Sequence, residues 1–113
     1  MKESLNLNNQ IVIYQSKDGK IQLDVKLENE TVWLNRQQLS ELFGRDIKTI
    51  GKHINNALKE ELDDTISTVA KFATVQTEGN REVTRSIEYY NLDMIISVGY
   101  RVKSKRGVEF RRW

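Results

Sequence analysis

The chain has 113 residues, no cysteine, no proline and one histidine, with 38% hydrophobic and 30% charged residues and a formal net charge of +2. That length suits one domain with one modest core, and the composition is polar without being that of a disordered chain. The absence of cysteine excludes disulfides, thiolate metal sites and a cysteine nucleophile, and a single histidine excludes a two-histidine metal site within one chain.

In chain order, residues 1–9 read as a polar tail with no apolar core for a signal peptide. Ile11-Val12-Ile13-Tyr14 predicts a strand on β-propensity, and Asp18-Gly19 a hairpin turn. The return strand alternates, with Ile21, Leu23, Val25 and Leu27 on one face and Gln22, Asp24 and Lys26 on the other. Asn29 marks a further turn, and Thr31-Val32-Trp33-Leu34 a short strand.

From Asn35 the period becomes helical. Asn35 is read as the N-cap of a helix from Arg36 to Phe43, which Gly44 ends as a C′ residue. Asp46 caps a second helix running to about Glu61, whose apolar stripe is Ile47, Ile50, Ile54, Ala57 and Leu58. Residues 69–76 form a strand, Glu78-Gly79-Asn80 a turn, and Glu82 to Tyr90 the return strand, with Val83, Ile87 and Tyr89 on one side. Asn91 caps a third helix, Leu92 to about Val102, burying Leu92, Ile95, Ile96 and Gly99. Trp33, Tyr89, Tyr90 and Tyr100 are expected to fill the core.

The charge is unevenly spread. Residues 101–113 hold six basic side chains against Glu109, a net +5, which leaves residues 1–100 at −3. Such an end favours a polyanion, although a solvated basic helix or frayed end has the same composition.

The informative segment is Arg36 to Ile54, RQQLSELFGRDIKTIGKHI. A DNA-reading helix–turn–helix needs a small residue where the helices cross, a glycine four positions later for the turn, and a β-branched residue six positions after that. Ser40, Gly44 and Ile50 have this spacing. The outward residues of the second helix would then be Lys48, Thr49, Lys52, Asn55 and Asn56. Lysine reaches phosphates or guanine edges, asparagine pairs with adenine, and threonine can touch a thymine methyl. Gln37, Gln38 and Arg45 are candidates for the DNA backbone, as are Lys103, Lys105 and Arg106 in the basic end. The second hairpin follows where a winged helix carries its wing and offers Arg81, with Lys71 and Arg85 behind it. Glu78 and Glu82 count against a basic wing, and the hairpin could instead only cover the core. An ordinary polar helix face has the same Lys, Asn and Thr content. Gly51 would allow either close approach to DNA or close helix packing.

No catalytic constellation is present. His53 reads as a surface or partly buried imidazole, and Glu60-Glu61 with Asp63-Asp64 as a solvated helix end rather than a metal loop. No metal, cofactor or small-molecule substrate is expected.

The chain resembles the virulence protein RhuM family of bacteria over nearly its whole length. The residues that carry the resemblance are IVIYQS from Ile11, TVWL from Thr31, ELFG from Glu41, KFAT from Lys71 and EYYNLDMIISVGYRV from Glu88, continuing SKRGVEFRRW. The resemblance implies a DNA-binding protein associated with pathogenicity islands and mobile elements. The ending is also similar, more loosely, to the Bro-N domain of phage antirepressors. Family members continue past Trp113, which implies that residues 1–113 are an N-terminal portion. They often carry polar residues where Ile47 stands and serine near Gly51.

The expected fold class is therefore α+β, one domain over 1–113. It has a polar tail at 1–9, a winged helix–turn–helix-like core at 10–100 and a basic, truncated segment at 101–113. The core comprises an N-terminal β-hairpin, the helix–turn–helix, a second β-hairpin as wing and a C-terminal helix. The expected function is regulatory, cytoplasmic and non-enzymatic binding of double-stranded DNA, with a homodimer possible and no membrane partner. The alternative is a protein-interaction or self-association module that presents Phe110 and Trp113.

Overall fold

A computed structural model describes residues 10–60 and 68–113. The tail at 1–9 and the acidic residues Glu61, Asp63 and Asp64 lie outside the described residues. The described elements, in order, are β1 (Gln10–Gln15), β2 (Gln22–Glu28), β3 (Thr31–Asn35), α1 (Arg36–Phe43), α2 (Ile47–Glu60), β4 (Val69–Glu78), β5 (Arg81–Asn91), α3 (Leu92–Arg101) and α4 (Lys105–Arg112). The α+β class expected from the sequence is found.

The strands form one antiparallel sheet in the order β1-β2-β3-β5-β4. Local turn chemistry sets its hairpins. Gly19 takes φ 74° in the first turn, and Asn29 and Glu30 take φ 54° and 64°, the paired left-handed residues of a type I′ turn. Gly79, at φ 64°, opens the two-residue turn between Glu78 and Arg81. Because β5 pairs with β3 (Leu34 opposite Tyr90), the second hairpin is part of the main sheet.

The helices cover one face. Tyr14, Leu23, Val25, Leu34 and Tyr90 point from the strands into a core completed by Leu39, Leu42, Phe43, Ile50, Ile54, Met94, Ile95, Val98 and Phe110. Strand alternation sends the other residues to the opposite face. There the Trp33, Phe72 and Tyr89 rings meet edge to face at 5.5 and 5.4 Å, and the Lys26 ammonium lies 4.7 Å from the Phe72 centroid. Val83, Ile87 and Tyr89 thus lie on the side away from the helices, and the core residue of β5 is Tyr90. Trp33 is buried there too, its indole N–H donating to the Glu28 carbonyl at 3.0 Å.

Four further expectations are corrected. The α3 stripe buries Met94, Ser97 and Val98 with Ile95 and Gly99, leaving Leu92 and Ile96 half-buried, because α2 and α4 pack on either side of it. Tyr100 is 81% exposed rather than in the core. Ile47, at the start of the α2 stripe, is 43% exposed. The basic end is neither frayed nor an exposed apolar patch. It forms α4, whose N-cap Ser104 hydroxyl accepts from the Arg106 amide at 3.1 Å.

Phe110, which the interaction-module alternative presents to a partner, is instead 2% exposed. Its ring meets Tyr14 edge-on at 4.9 Å, and Trp113 lies over both, 5.2 Å from Tyr14 and 5.6 Å from Phe110. Two polar ties hold the helix to the β1–β2 turn. Arg106 clasps Asp18 through both carboxylate oxygens at 3.2 and 2.8 Å, and the Lys17 amide donates to Glu109 at 2.5 Å. Gly99 and Gly107 let α3 and α4 approach across the Phe43 ring. A Cβ on Gly99 would lie 3.1 Å from Phe43 Cζ.

Candidate nucleic-acid interface

Helix α1 begins on a capping box. The Asn35 side chain accepts from the Gln38 amide at 2.8 Å, and the Gln38 side chain accepts from the Asn35 amide at 2.9 Å. Gly44 ends it in the left-handed region at φ 65°, its amide donating to Ser40 at 2.9 Å. The Ser40 hydroxyl donates to the Arg45 carbonyl at 2.5 Å, so its side chain bonds within the turn. Asp46 then caps α2 by accepting from the Thr49 amide at 2.8 Å. Bonds from the Thr49 hydroxyl and amide pull the Asp46 carboxyl below its ordinary pKa.

Helix α2 buries Ile50, Gly51, Ile54 and Ala57. Opposite that face, Lys48, Lys52 and Asn55 are exposed at helical spacing, and Lys59 extends the same row by one turn. Lys59 was missed in the sequence reading although it stands seven residues after Lys52. The helix carries no acidic residue before Glu60, which pairs with Arg101 at 3.1 Å. The row is therefore a run of three ammonium groups and one amide with no carboxylate among them. Thr49 and Asn56 flank it half-buried, and the Thr49 hydroxyl is engaged with Asp46. His53 is half-buried. Gly51 is resolved as a packing residue. It is buried, a Cβ there would stand 3.2 Å from Arg36 Nη1, and Arg36 donates to the Tyr90 hydroxyl at 3.0 Å.

The other predicted backbone contacts are scattered. Gln37 is exposed on the first turn of α1, whereas Gln38 closes the capping box and donates to the Asp24 carbonyl at 2.7 Å. Arg45 is exposed, and its guanidinium donates to main-chain carbonyls, those of Phe43 at 3.1 Å, Gly44 at 3.3 Å and Val102 at 3.0 Å. Its bond to Val102 brings the α1–α2 turn beside the loop carrying exposed Lys103. Lys105 is exposed on α4, whereas Arg106 is committed to Asp18. That guanidinium, helped by the Ser16 hydroxyl and the Lys20 amide, holds the Asp18 carboxyl well below the usual carboxylate range. Arg81 is exposed at the tip of the β4–β5 ribbon, about 30 Å of strand beyond Ala70. Behind it Arg85 is held by Glu78 at 2.5 and 2.7 Å. The structure thus groups Lys48, Lys52, Asn55 and Lys59, and distributes the remaining candidates over other faces.

A concave feature lies between α3 and α4. It encloses about 420 Å³, is lined by Ile96, Tyr100, Val108 and Arg111, and has Gly99 and Gly107 in its walls. Among the described residues, no group of three or more His, Asp or Glu side chains is placed to hold a metal ion, and no helix is long and apolar enough to cross a membrane.

The second half of the chain has a counterpart among known families. Residues 67–113 match the model of the virulence protein RhuM family. That stretch takes in β4, β5, α3 and α4, and so includes the basic α4 and the α3–α4 groove. Helices α1 and α2 lie outside it. No curated protein and no solved structure matches the chain.

Proposed function

We propose that this domain binds duplex DNA as a non-enzymatic regulatory module, laying the outward row of α2 into the major groove. The observation that carries the reading is the carboxylate-free row Lys48, Lys52, Asn55 and Lys59 on a helix that follows α1 through a tight glycine turn. Lysines at that spacing reach phosphates or guanine edges, and Asn55 supplies a bidentate donor–acceptor pair for adenine. The order β3-α1-α2-β4-β5, with β3 and β5 paired, supports a winged-helix reading in which the β4–β5 ribbon is the wing. The ribbon is close to neutral, so the lysines of α2 provide most of the attraction, with Gln37, Lys103 and Arg81 as outlying backbone contacts. The likeness of residues 67–113 to the RhuM family extends, on this reading, to the whole chain, and the Bro-N-like ending supports nucleic-acid binding by analogy only.

The test is titration of a random-sequence duplex pool across a salt series, followed by selection of the bound sequences. Binding is expected to weaken steeply with salt, and Lys48→Ala with Lys52→Ala together to reduce it at every salt. Absence of binding at the lowest salt refutes the reading.

A protein-interaction role is the second reading. The α3–α4 groove favours it, because Tyr100 stands 81% exposed at its edge.

A further inference from the structure

We infer that two copies of this chain associate through their β1 strands, in antiparallel register about Val12, joining the two sheets into one. The first observation is topological. β1 is an end strand of the sheet and, among the described residues, pairs only with β2. Every second residue of β1 therefore directs its amide and carbonyl away from β2, where a further strand could pair with them.

The second observation is chemical. Exposed edges in soluble proteins are ordinarily guarded by a charge, a proline or a bulge. Gln10–Gln15, QIVIYQ, has no charge and no proline, and its register with β2 runs without a bulge over six consecutive pairs. Ile11, Val12 and Ile13 are 53%, 38% and 58% exposed, so the unguarded edge is apolar on both faces. The opposite edge, β4, carries Lys71 and Glu78.

The third observation identifies the occupant. Pairing about Val12 sets Ile11 of one copy opposite Ile13 of the other, and Gln10 opposite Tyr14, so no like charges meet along the strand. The α3–α4 groove is less suited, because Lys103 and Arg111 both line it and a two-fold contact there would bring two cations from each copy together, against Arg111 alone beside β1. On the helix side the apolar surface continues from Val12 to Trp113, 49% exposed, around a hollow of about 290 Å³ that Arg111 also lines. Three aliphatic side chains and a strand edge fall short of the ~800 Å² per partner of a standard interface. The dimer is consequently weak, with a micromolar to millimolar dissociation constant, and added salt strengthens it by screening the two copies of Arg111. Salt has the opposite effect on the lysine row of α2, so the two associations are separable.

Sedimentation equilibrium of the full chain from micromolar to millimolar concentration tests the inference. The expected result is a reversible monomer–dimer equilibrium that Ile13→Lys weakens by about tenfold or more, since a lysine is then buried beside Ile11 of the other copy. That variant should fold, because the side chain at 13 is exposed and its cross-strand partner is Asp24, which circular dichroism checks. Tyr100→Glu, on the α3–α4 side, is expected to leave the equilibrium unchanged. A monomer throughout the range, or a dimer indifferent to Ile13→Lys, overturns the inference, as does a dimer lost only in Tyr100→Glu.

Discussion

Phe110→Ala asks whether α4 belongs to the core or merely rests on it. The ring is 2% exposed and packed edge-on against Tyr14, with Trp113 over both. Removing a buried phenylalanine costs ~3–5 kcal/mol through lost transfer free energy and the cavity left behind. Each edge-to-face contact adds ~0.5–1.5 kcal/mol beyond area burial, already counted within that range. Phe110 is the only buried residue of the helix, so apart from the polar ties of Arg106 and Glu109 and the half-exposed Trp113 no second core side chain replaces it. Against a total stability of ~5–15 kcal/mol for a domain, the change removes a large fraction. Urea unfolding followed by indole fluorescence and by circular dichroism measures it, with both probes expected to shift together to lower denaturant. If the loss is below ~1 kcal/mol, or only the α4 amides lose hydrogen-exchange protection, then α4 is a detachable appendage and the argument from burial fails.

Gly44→Ala tests the turn between α1 and α2. Its φ of 65° is left-handed and no atom lies within 4 Å of the added Cβ, so a loss of ~1–2 kcal/mol from backbone strain alone is expected in thermal unfolding. Gly99→Ala differs in kind, because the new Cβ meets the Phe43 ring at 3.1 Å; overpacking of ~1–3 kcal/mol should appear, and Phe43→Leu in the same chain should relieve part of it. Asp18 is stabilised as a carboxylate by Arg106, so its contribution to stability is present above the unfolded carboxyl pKa and fades as pH falls through the lowered folded value. Asp18→Asn should therefore destabilise near neutral pH and converge with the parent in strong acid, as a pH series of melting temperatures would reveal. Lys59→Ala should weaken duplex binding evenly across sequences and lower the salt slope by about 1, whereas Asn55→Ala should relax the preference at one base pair.

Much of the local structure could be read from the chain because its causes are local. Asn35, Gly44, Asp46 and Asn91 stand at the caps predicted for them, since each satisfies orphan backbone groups or tolerates a left-handed φ that few residues accept. The alternation of Ile21, Leu23, Val25 and Leu27 named the buried face of β2, because a strand repeats every two residues. The row of Lys48, Lys52 and Asn55 followed from helical spacing in the same way.

What the sequence alone determined, then, was the identity of most elements, their boundaries and the exposed face of α2. Tertiary structure decided what depends on residues far apart. Helix α4 has one buried residue in eight and no periodic stripe to betray it; Tyr14, Asp18 and Phe43, contributed by other elements, give it a seat. The same long-range pairing ties Arg106 to Asp18 and brings an exposed Arg45 onto the Val102 carbonyl, although both look like free cations in a linear reading. Burial on both flanks of α3 turned Val98 inward and left Tyr100 in solvent. A residue's type and spacing specify which face it shares, but only the packed neighbours determine whether that face meets core, a carbonyl or water.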